Sequence, residues 1–346
     1  MSGNHIDRGL VDMLSAVFSS HRARMSESRS ENTDTTADLE LWAQLRELGL
    51  ARLTGSESSG GSGADWFAAA ELLRAAAHHA VPTPVVEHDL LAGWLLTHAG
   101  LPVDDTRRSA CVLDTSGTAR DVGWASSAER VVVGWPSGDA WMVADVDTDD
   151  LTVDRGVNLA GEPRDIVGAR LDDLTGVEVD AATIRRFRLR GALARSAQIC
   201  GALERILDLT VTHARQREQF GRPLVRFQTV TSMIADIAAE TSLAQAATEG
   251  ALAAAVHRDW ADSTLEFLVA VARSCTGRAT SVIVRNAHQV HGAIGTTREH
   301  RLHEFTLPAL AWRSEFGSVH DWERVVTEAA GDAGADGLWS LIVDAG

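Results

Sequence analysis

The chain has 346 residues, 45% of them apolar, and a formal net charge of −16. That size and apolar content can build two or three domains, while the acidity excludes a general binder of nucleic acid or anionic membrane. Every basic side chain is Arg, and with neither Lys nor Tyr in the chain, Schiff-base chemistry, a Walker-type phosphate loop and a catalytic ammonium are excluded too.

Cys111, Cys200 and Cys275 lie far apart and form neither a disulfide framework nor a CxxC pattern. They read as reduced, buried thiols. No run approaches the roughly 18 apolar residues of a membrane helix. The start, "MSGNHIDRGLVDMLSAVF", lacks the charged region, long apolar core and small-residue cleavage site of a secretory signal. The expected location is cytoplasmic.

In chain order, residues 1–36 are polar and lose their periodicity after Phe18, so "SSHRARMSESRSENTDTT" reads as a mobile connection. Leu41, Leu45 and Leu48 predict a helix over 38–53, with Gly49 as a stop. "GSESSGGSGAD" (55–65) has linker composition, but a helical run from Trp66 to Ala77 follows at once, which makes it a loop between packed helices. "LLAGWLLTHAG" (90–100) is a further apolar helix. From about 109 to 179 the apolar runs shorten to "ACVLD", "RVVVGW" and "AWMVADV", strand-like and separated by turn residues. Helical spacing returns at Ala181 and marks three long helices: Ile184 to Val211, Val230 to Leu243, and Leu265 to Val290. Long helices with apolar stripes make a bundle. The predicted architecture is mostly α with a small β-domain: an N-terminal helical domain (1–107), a central β-domain (108–180) and a C-terminal four-helix bundle (181–346).

Two stretches carry candidate chemistry. In "RQREQFGRPLVRFQ" (215–228), Gly221 permits a turn, Pro223 suits the start of the next helix, and Phe220 can anchor the turn in the core. Arg217 and Gln228 are eleven residues apart across that turn. A guanidinium fork and an amide suit a pyrophosphate and an adenine edge. The same residues also suit a solvated basic turn that satisfies helix C-terminal carbonyls. In "NAHQVHGAIGTTREHRLHEF" (286–305), a helix ends at Gly292, where the backbone of Gly292 and Ala293 could approach a phosphate or ribityl chain. A plain helix cap is an alternative. So is a metal site from His300, His303 and Glu304, for which no further ligand group is evident, so no metal is expected.

Taken together, "RxQFGxPLxxFQ" and, some sixty residues on, "QxHGxIGxTxExxLH" resemble the acyl-CoA dehydrogenase flavoproteins. The resemblance reaches back through "LWAQLRELGLARLTGSESSGGSGADW" and covers roughly residues 38–310, most weakly in the middle. It implies the same helical, β, four-helix order and FAD as cofactor. Arg217 and Gln228 match the family's residues that hold the ADP part of FAD, and Phe220 its aromatic beside the adenine. Gln289, His291, Gly292 and Ala293 match the segment lining the same cofactor. In that family these groups reach across an interface to FAD seated in a neighbouring subunit.

The family's chemistry needs a carboxylate base and a flavin that accepts a hydride. The nearest match to its usual base is Glu315, one residue out of register in "AWRSEFGSVH"; a solvated helix-end carboxylate is the other reading of it. The family's second base location falls at or beside Gly191, where there is no carboxylate. Residues 108–135 contain nothing like the family's flavin-binding segment. Trp124 or Trp135 could stack on a ring or simply be core. These departures make the chain similar to the short, partner-requiring subunit of heteromeric acyl-CoA dehydrogenases of the actinobacterial steroid-degrading type. The implied partners are an acyl-CoA thioester, a second dehydrogenase subunit in an α2β2 assembly, and an electron-transfer flavoprotein. A self-sufficient homomer using Glu315, or a non-catalytic scaffold, are the alternatives.

Overall fold

The computed structural model describes residues 8–27, 38–258, 260 and 263–343. Its elements follow the predicted order of helices, strands and long helices. Helices α1 (Arg8–Glu27), α2 (Leu39–Glu47), α3 (Trp66–His78) and α4 (Trp94–His98) precede seven strands, β1 (Arg108–Val112) to β7 (Val177–Val179). Helix α5 (Ala181–Gln216) follows, then a small hairpin, β8 (Glu218–Gln219) and β9 (Arg222–Pro223). Helices α6 (Gln228–His257), α7 (Ser263–His291), α8 (His303–Trp312) and α9 (Val319–Val343) complete the chain. The architecture is mostly helical with a small sheet region.

The predicted connection from Ser19 is helix as far as Glu27, because Leu14, Val17, Phe18 and His21 form one buried i, i+3, i+4, i+7 stripe. The rest of that stretch, 28–36, lies outside the described residues. Asp38 caps α2, accepting the Leu41 N–H at 2.9 Å, and Gly49 stops it with φ +73. The Gly/Ser stretch at 55–65 is a built loop. Gly61 N–H donates to Ser56 O and Gly63 N–H to Gly55 O, and Asp65 accepts the Phe67 and Ala68 N–H groups to start α3.

Two compact units divide the chain, one from segments 1–22, 70–81 and 195–346, the other from 23–69 and 82–194. In the second, β1, β3 (Arg130–Ser137), β4 (Ala140–Asp147) and β7 form a four-stranded sheet in that order, parallel between β1 and β3 and antiparallel elsewhere. The strands β2 (Thr118–Gly123), β6 (Arg164–Gly168) and β5 (Thr152–Asp154) form a three-stranded antiparallel sheet. Their core is Cys111, Leu113, Val122, Val131, Val133, Trp135 and Val167. A single π-helical stretch, Val86–Gly93, runs into α4, so the predicted helix starts four residues earlier than its apolar pattern. Glu87, His88 and Asp89 are all buried in it.

The first unit is built on α6 to α9 and on α5 from Arg195 onward. Ile199, Leu203 and Ile206 of α5 pack with Ile237 and Ala244 of α6, Ala279, Ile283 and Ala287 of α7, and Phe305 and Trp312 of α8. The buried threonines Thr210, Thr241, Thr248, Thr276 and Thr280 each donate to the carbonyl four residues earlier, so the interior carries hydroxyls without orphaning them. Glu204 of α5 ties in its neighbours, accepting from Arg74 at 2.7 Å and from Gln245. By length and composition, one described stretch (Thr264–Thr296) could cross a bilayer, contrary to the reading that no run approaches that length. More than half of it is buried inside the unit, and its apolar face is bundle core.

Gly201 of α5 sits on the backbone of Arg74: an added Cβ would lie 2.2 Å from Arg74 O. Alanine favours a helix over glycine by about 1 kcal/mol, but relief of the clash needs backbone movement costing about 1–3 kcal/mol. Gly201→Ala should therefore lower the urea midpoint with an unchanged m-value; a raised midpoint would show that α5 and residue 74 are not in close backbone contact.

Candidate functional site

The two chemistry-bearing stretches meet in the first unit. The Arg217 N–H donates to His213 O at 2.8 Å, closing the last turn of α5. Strands β8 and β9 then pair around Phe220 and Gly221, whose φ values are +53 and +76. Two positive φ values at a two-residue connection make a type I′ turn, which matches the twist of a hairpin. Glycine takes that conformation freely; for Phe220 it costs on the order of 1 kcal/mol. The Leu224 N–H returns to Arg217 O at 2.9 Å and fastens the base of the hairpin. Pro223 closes β9 and precedes one 3-10 turn, Leu224–Arg226; α6 begins only at Gln228.

Phe220 is not the core anchor that the sequence suggested. It is 91% exposed, because a residue at the tip of a two-residue hairpin has no core within reach. Its ring makes an edge contact with Phe227, 6.2 Å between centroids, and the Arg222 guanidinium lies 4.1 Å over the Phe227 ring. Arg217, Gln228, Gln289, Gly292 and Ala293 are exposed as well. A Cβ added at Gly221 or Gly292 would meet nothing within 4 Å, so the backbone at both glycines is open to a ligand.

His291 differs from its neighbours in the motif, being 5% exposed. Its Nδ1 bonds to Ala287 O at 2.7 Å, so the proton sits on Nδ1 and Nε2 carries a lone pair. The ring stacks on His213 (4.5 Å between centroids, 24° between planes) and meets His300 at 4.5 Å and 63°. These contacts join the end of α5 to the end of α7. Gly295 lets the following turn fold over them: a Cβ there would be 2.7 Å from His291 Cβ. Burial, above all, holds the three imidazoles neutral. It pushes His291 down to about 4, against the bond to Ala287 and with His213 and His300 adding to the drop. His213 is lowered by burial, His300 and Arg217; His300 is lowered by burial and His303.

Electrostatics around the hairpin are lopsided. Arg215, Arg217, Arg222 and Arg226 have no carboxylate partner among the described residues, whereas guanidiniums elsewhere, such as Arg74, Arg108, Arg130 and Arg164, are paired. The metal reading from His300, His303 and Glu304 does not fit the geometry. Glu304 is held by Arg22 (2.5 Å) and Arg301 (2.8 Å), and His303 Nδ1 bonds to His300 O.

Glu315, the candidate base, is not a solvated helix-end carboxylate. Its side chain is 12% exposed, and Oε2 accepts from Arg195 Nε at 2.6 Å. Arg195 also donates to Gln198 Oε1 at 2.7 Å. Beside them Arg273, 1% exposed, donates from Nη2 to the carbonyls of Trp312, Arg313 and Glu315, satisfying the end of α8. Burial lowers Arg273 to about 10 while Glu315 opposes the drop.

Within the second unit, Trp124 and Trp135 are 3% and 4% exposed, so both are core. Beside Gly191, Arg190 donates to Leu90 O at 2.9 Å and lies between Trp66 (4.9 Å) and Trp94 (4.6 Å). Burial lowers it to about 9. Asp89 accepts the Thr54 N–H and hydroxyl at 2.9 and 3.0 Å, and burial raises it to about 6. None of this knot was read from the sequence; three ionisable residues in a row at 87–89, ahead of an apolar helix, were its one signal.

Residues 182–319 match the family described as acyl-CoA dehydrogenase, C-terminal domain. The acyl-CoA dehydrogenase FadE27 of Mycobacterium tuberculosis is 28% identical over 87% of this chain and 90% of its own length. In fold, a chain of the ChsE4-ChsE5 complex from Mycobacterium tuberculosis superposes with a TM-score of 0.82 at 21% identity, covering 97% of this chain and all of that one. A chain of the Tcur3481-Tcur3483 steroid ACAD gives 0.81 at 20% identity over 94% and 98%.

Glu315→Gln leaves the buried Arg195 guanidinium without its counter-charge, which should cost about 3 kcal/mol of stability. Glu315→Gln paired with Arg195→Met should recover part of that loss. Chemical denaturation of the two variants and the parent measures both; a single variant as stable as the parent would mean the pair is not formed.

Proposed function

We propose that this chain, which belongs to the acyl-CoA dehydrogenase family, is one subunit of a heteromeric FAD-dependent acyl-CoA dehydrogenase. Its part is to hold the adenine-diphosphate end of FAD seated in a different subunit. The observation that carries this reading is the four guanidiniums in and beside the hairpin, exposed and without a carboxylate partner among the described residues, on a chain of net charge −16. Unpaired cations beside open backbone suit a dinucleotide diphosphate.

The residues fit that group. Arg217 would supply a planar, permanently charged donor pair to the diphosphate, and Gln228 and Gln289 would supply carboxamides. Exposed Phe220, held at the hairpin tip, would lie against the adenine. Gly292 and Ala293 offer backbone with no side chain in the way. The buried ring of His291 would act by seating Gly292 rather than by touching the ligand. When bound, FAD supplies the two-electron acceptor for α,β-desaturation of an acyl-CoA thioester.

The base for that reaction would come from the partner subunit. In this chain the nearest carboxylate, Glu315, is committed to Arg195, and the position beside Gly191 is filled by an arginine between two tryptophans. A carboxylate engaged by a buried guanidinium is a poor proton acceptor. The pairing of two differently named components in ChsE4-ChsE5 and Tcur3481-Tcur3483 supports a heteromeric assembly, for which we propose α2β2, and the latter's description supports a steroid-type acyl group. Electrons would leave to an electron-transfer flavoprotein.

Arg217→Ala tests the reading on the co-expressed complex. The variant should assemble yet retain about a tenth or less of the parent's FAD, as expected for loss of a charge-assisted fork worth about 1.5–3 kcal/mol. FAD content is read from the flavin absorbance per mole of complex. Full retention of FAD by an assembled Arg217→Ala complex would overturn the assignment.

A further inference from the structure

The three imidazoles of His213, His291 and His300 have a capacity that dinucleotide binding does not use. One ligand-capable atom from each lies within 4.8 Å of the other two. We propose that they form a binding site for a borderline divalent transition metal of the zinc, cobalt or nickel class, bridging the ends of α5 and α7 and the turn that follows.

Four observations support it. His291 Nδ1 is fixed by Ala287 O at 2.7 Å, the backbone-carbonyl bond that commonly orients a metal-binding histidine. Its Nε2 is buried and has no hydrogen-bond partner among the described residues, and a buried acceptor left unmatched calls for an ion or an ordered water. His213 is half-buried and its ring makes no hydrogen bond among the described residues. The three rings pack on one another across the ends of two helices, His291 lying 4.5 Å between centroids from both His213 and His300. Imidazole nitrogens without thiolates select this class of ion over calcium or magnesium, and three protein ligands leave a tetrahedral ion one position for water.

Coordination requires two adjustments. The near-parallel stack of His213 on His291 must open, because a metal in the plane of one ring is out of the plane of the other. His213, one turn from the helix end and partly exposed, is the ring free to rotate. His300 must exchange the 3.1 Å bond from the Leu302 N–H to its Nδ1 for the metal bond. A single neutral hydrogen bond is weaker than a metal–imidazole bond, so the exchange is favourable. The ion would fasten the turn that presents Gly292 without occupying the open backbone there. The site stands on its own geometry and needs no FAD.

The test uses the full-length chain, freed of metal with EDTA and titrated with cobalt(II) at neutral pH. Visible d–d bands of tetrahedral cobalt should appear, saturate at one ion per chain and be displaced by zinc. His213→Ala and His300→Ala should each weaken binding by about tenfold or more, and His303→Ala should leave it unchanged. X-ray absorption of the cobalt-loaded parent should show three imidazole scatterers, which needs no variant to fold. Absence of the bands, bands that survive both ligand substitutions, or fewer than three imidazoles would overturn the site. FAD content of the complex is a separate measurement, so failure here leaves the dinucleotide reading where it stands.

Discussion

The buried ion pair between Arg195 and Glu315 constrains what this chain can do. Both groups lie away from water, at 3% and 12% side-chain exposure, and meet at 2.6 Å. A buried charge costs several kcal/mol to strand, so neither can leave the other cheaply. The Glu315 carboxylate is thus engaged as the counter-ion of Arg195, which is the ground for the proposal that the base comes from elsewhere. Arg273 reinforces the arrangement by capping α8 with three carbonyl contacts, which fixes the backbone that carries Glu315. With this end of the bundle committed to holding itself together, the exposed chemistry concentrates at the hairpin after α5 and the turn after α7.

Most of the architecture was legible because it rests on periodicity. The long apolar stripes of α5, α6 and α7, and the change of texture near 108 and 181, reflect burial that any one helix or strand reports by itself. Gly49, Gly221 and Gly292 were readable for the same reason, since each takes the positive φ that turn chemistry demands. Legibility failed where a residue's role depends on something distant in sequence. Glu315 looks solvated until Arg195, 120 residues away, is placed beside it. His300 looked paired with His303 along the chain, but its ring faces His291 and lies 6.0 Å from His213, across the structure. Phe220 was misjudged because hydrophobicity argues for the core while a two-residue hairpin excludes it. The tip geometry prevailed, leaving the ring 91% exposed.

The absence of lysine shapes how charge is used. Buried polar ends that a lysine could not cover without losing its proton are met by guanidiniums, which stay charged even where burial depresses Arg190 to about 9 and Arg273 to about 10. Each buried arginine is matched to a specific acceptor: Leu90 O for Arg190, Glu315 for Arg195, the α8 carbonyls for Arg273. Against that pattern, the arginines in and beside the hairpin stand out because they have no such acceptor among the described residues.

A net charge of −16 does not cancel them. At physiological ionic strength, exposed charges are screened beyond about 8 Å, so acids elsewhere on the surface contribute little at the hairpin, where Arg215, Arg217, Arg222 and Arg226 outnumber the one hairpin carboxylate, Glu218. The overall acidity repels polyanions that would engage a broad surface, and it is compatible with the proposed short-range contact to a compact diphosphate. The strained φ of Phe220 points the same way. A backbone that holds an aromatic residue in a left-handed conformation at an exposed tip gains no packing for that cost, and such strain persists where a ligand contact makes use of it. Cation, open glycine and presented aromatic are the three features on which the proposed nucleotide contact rests.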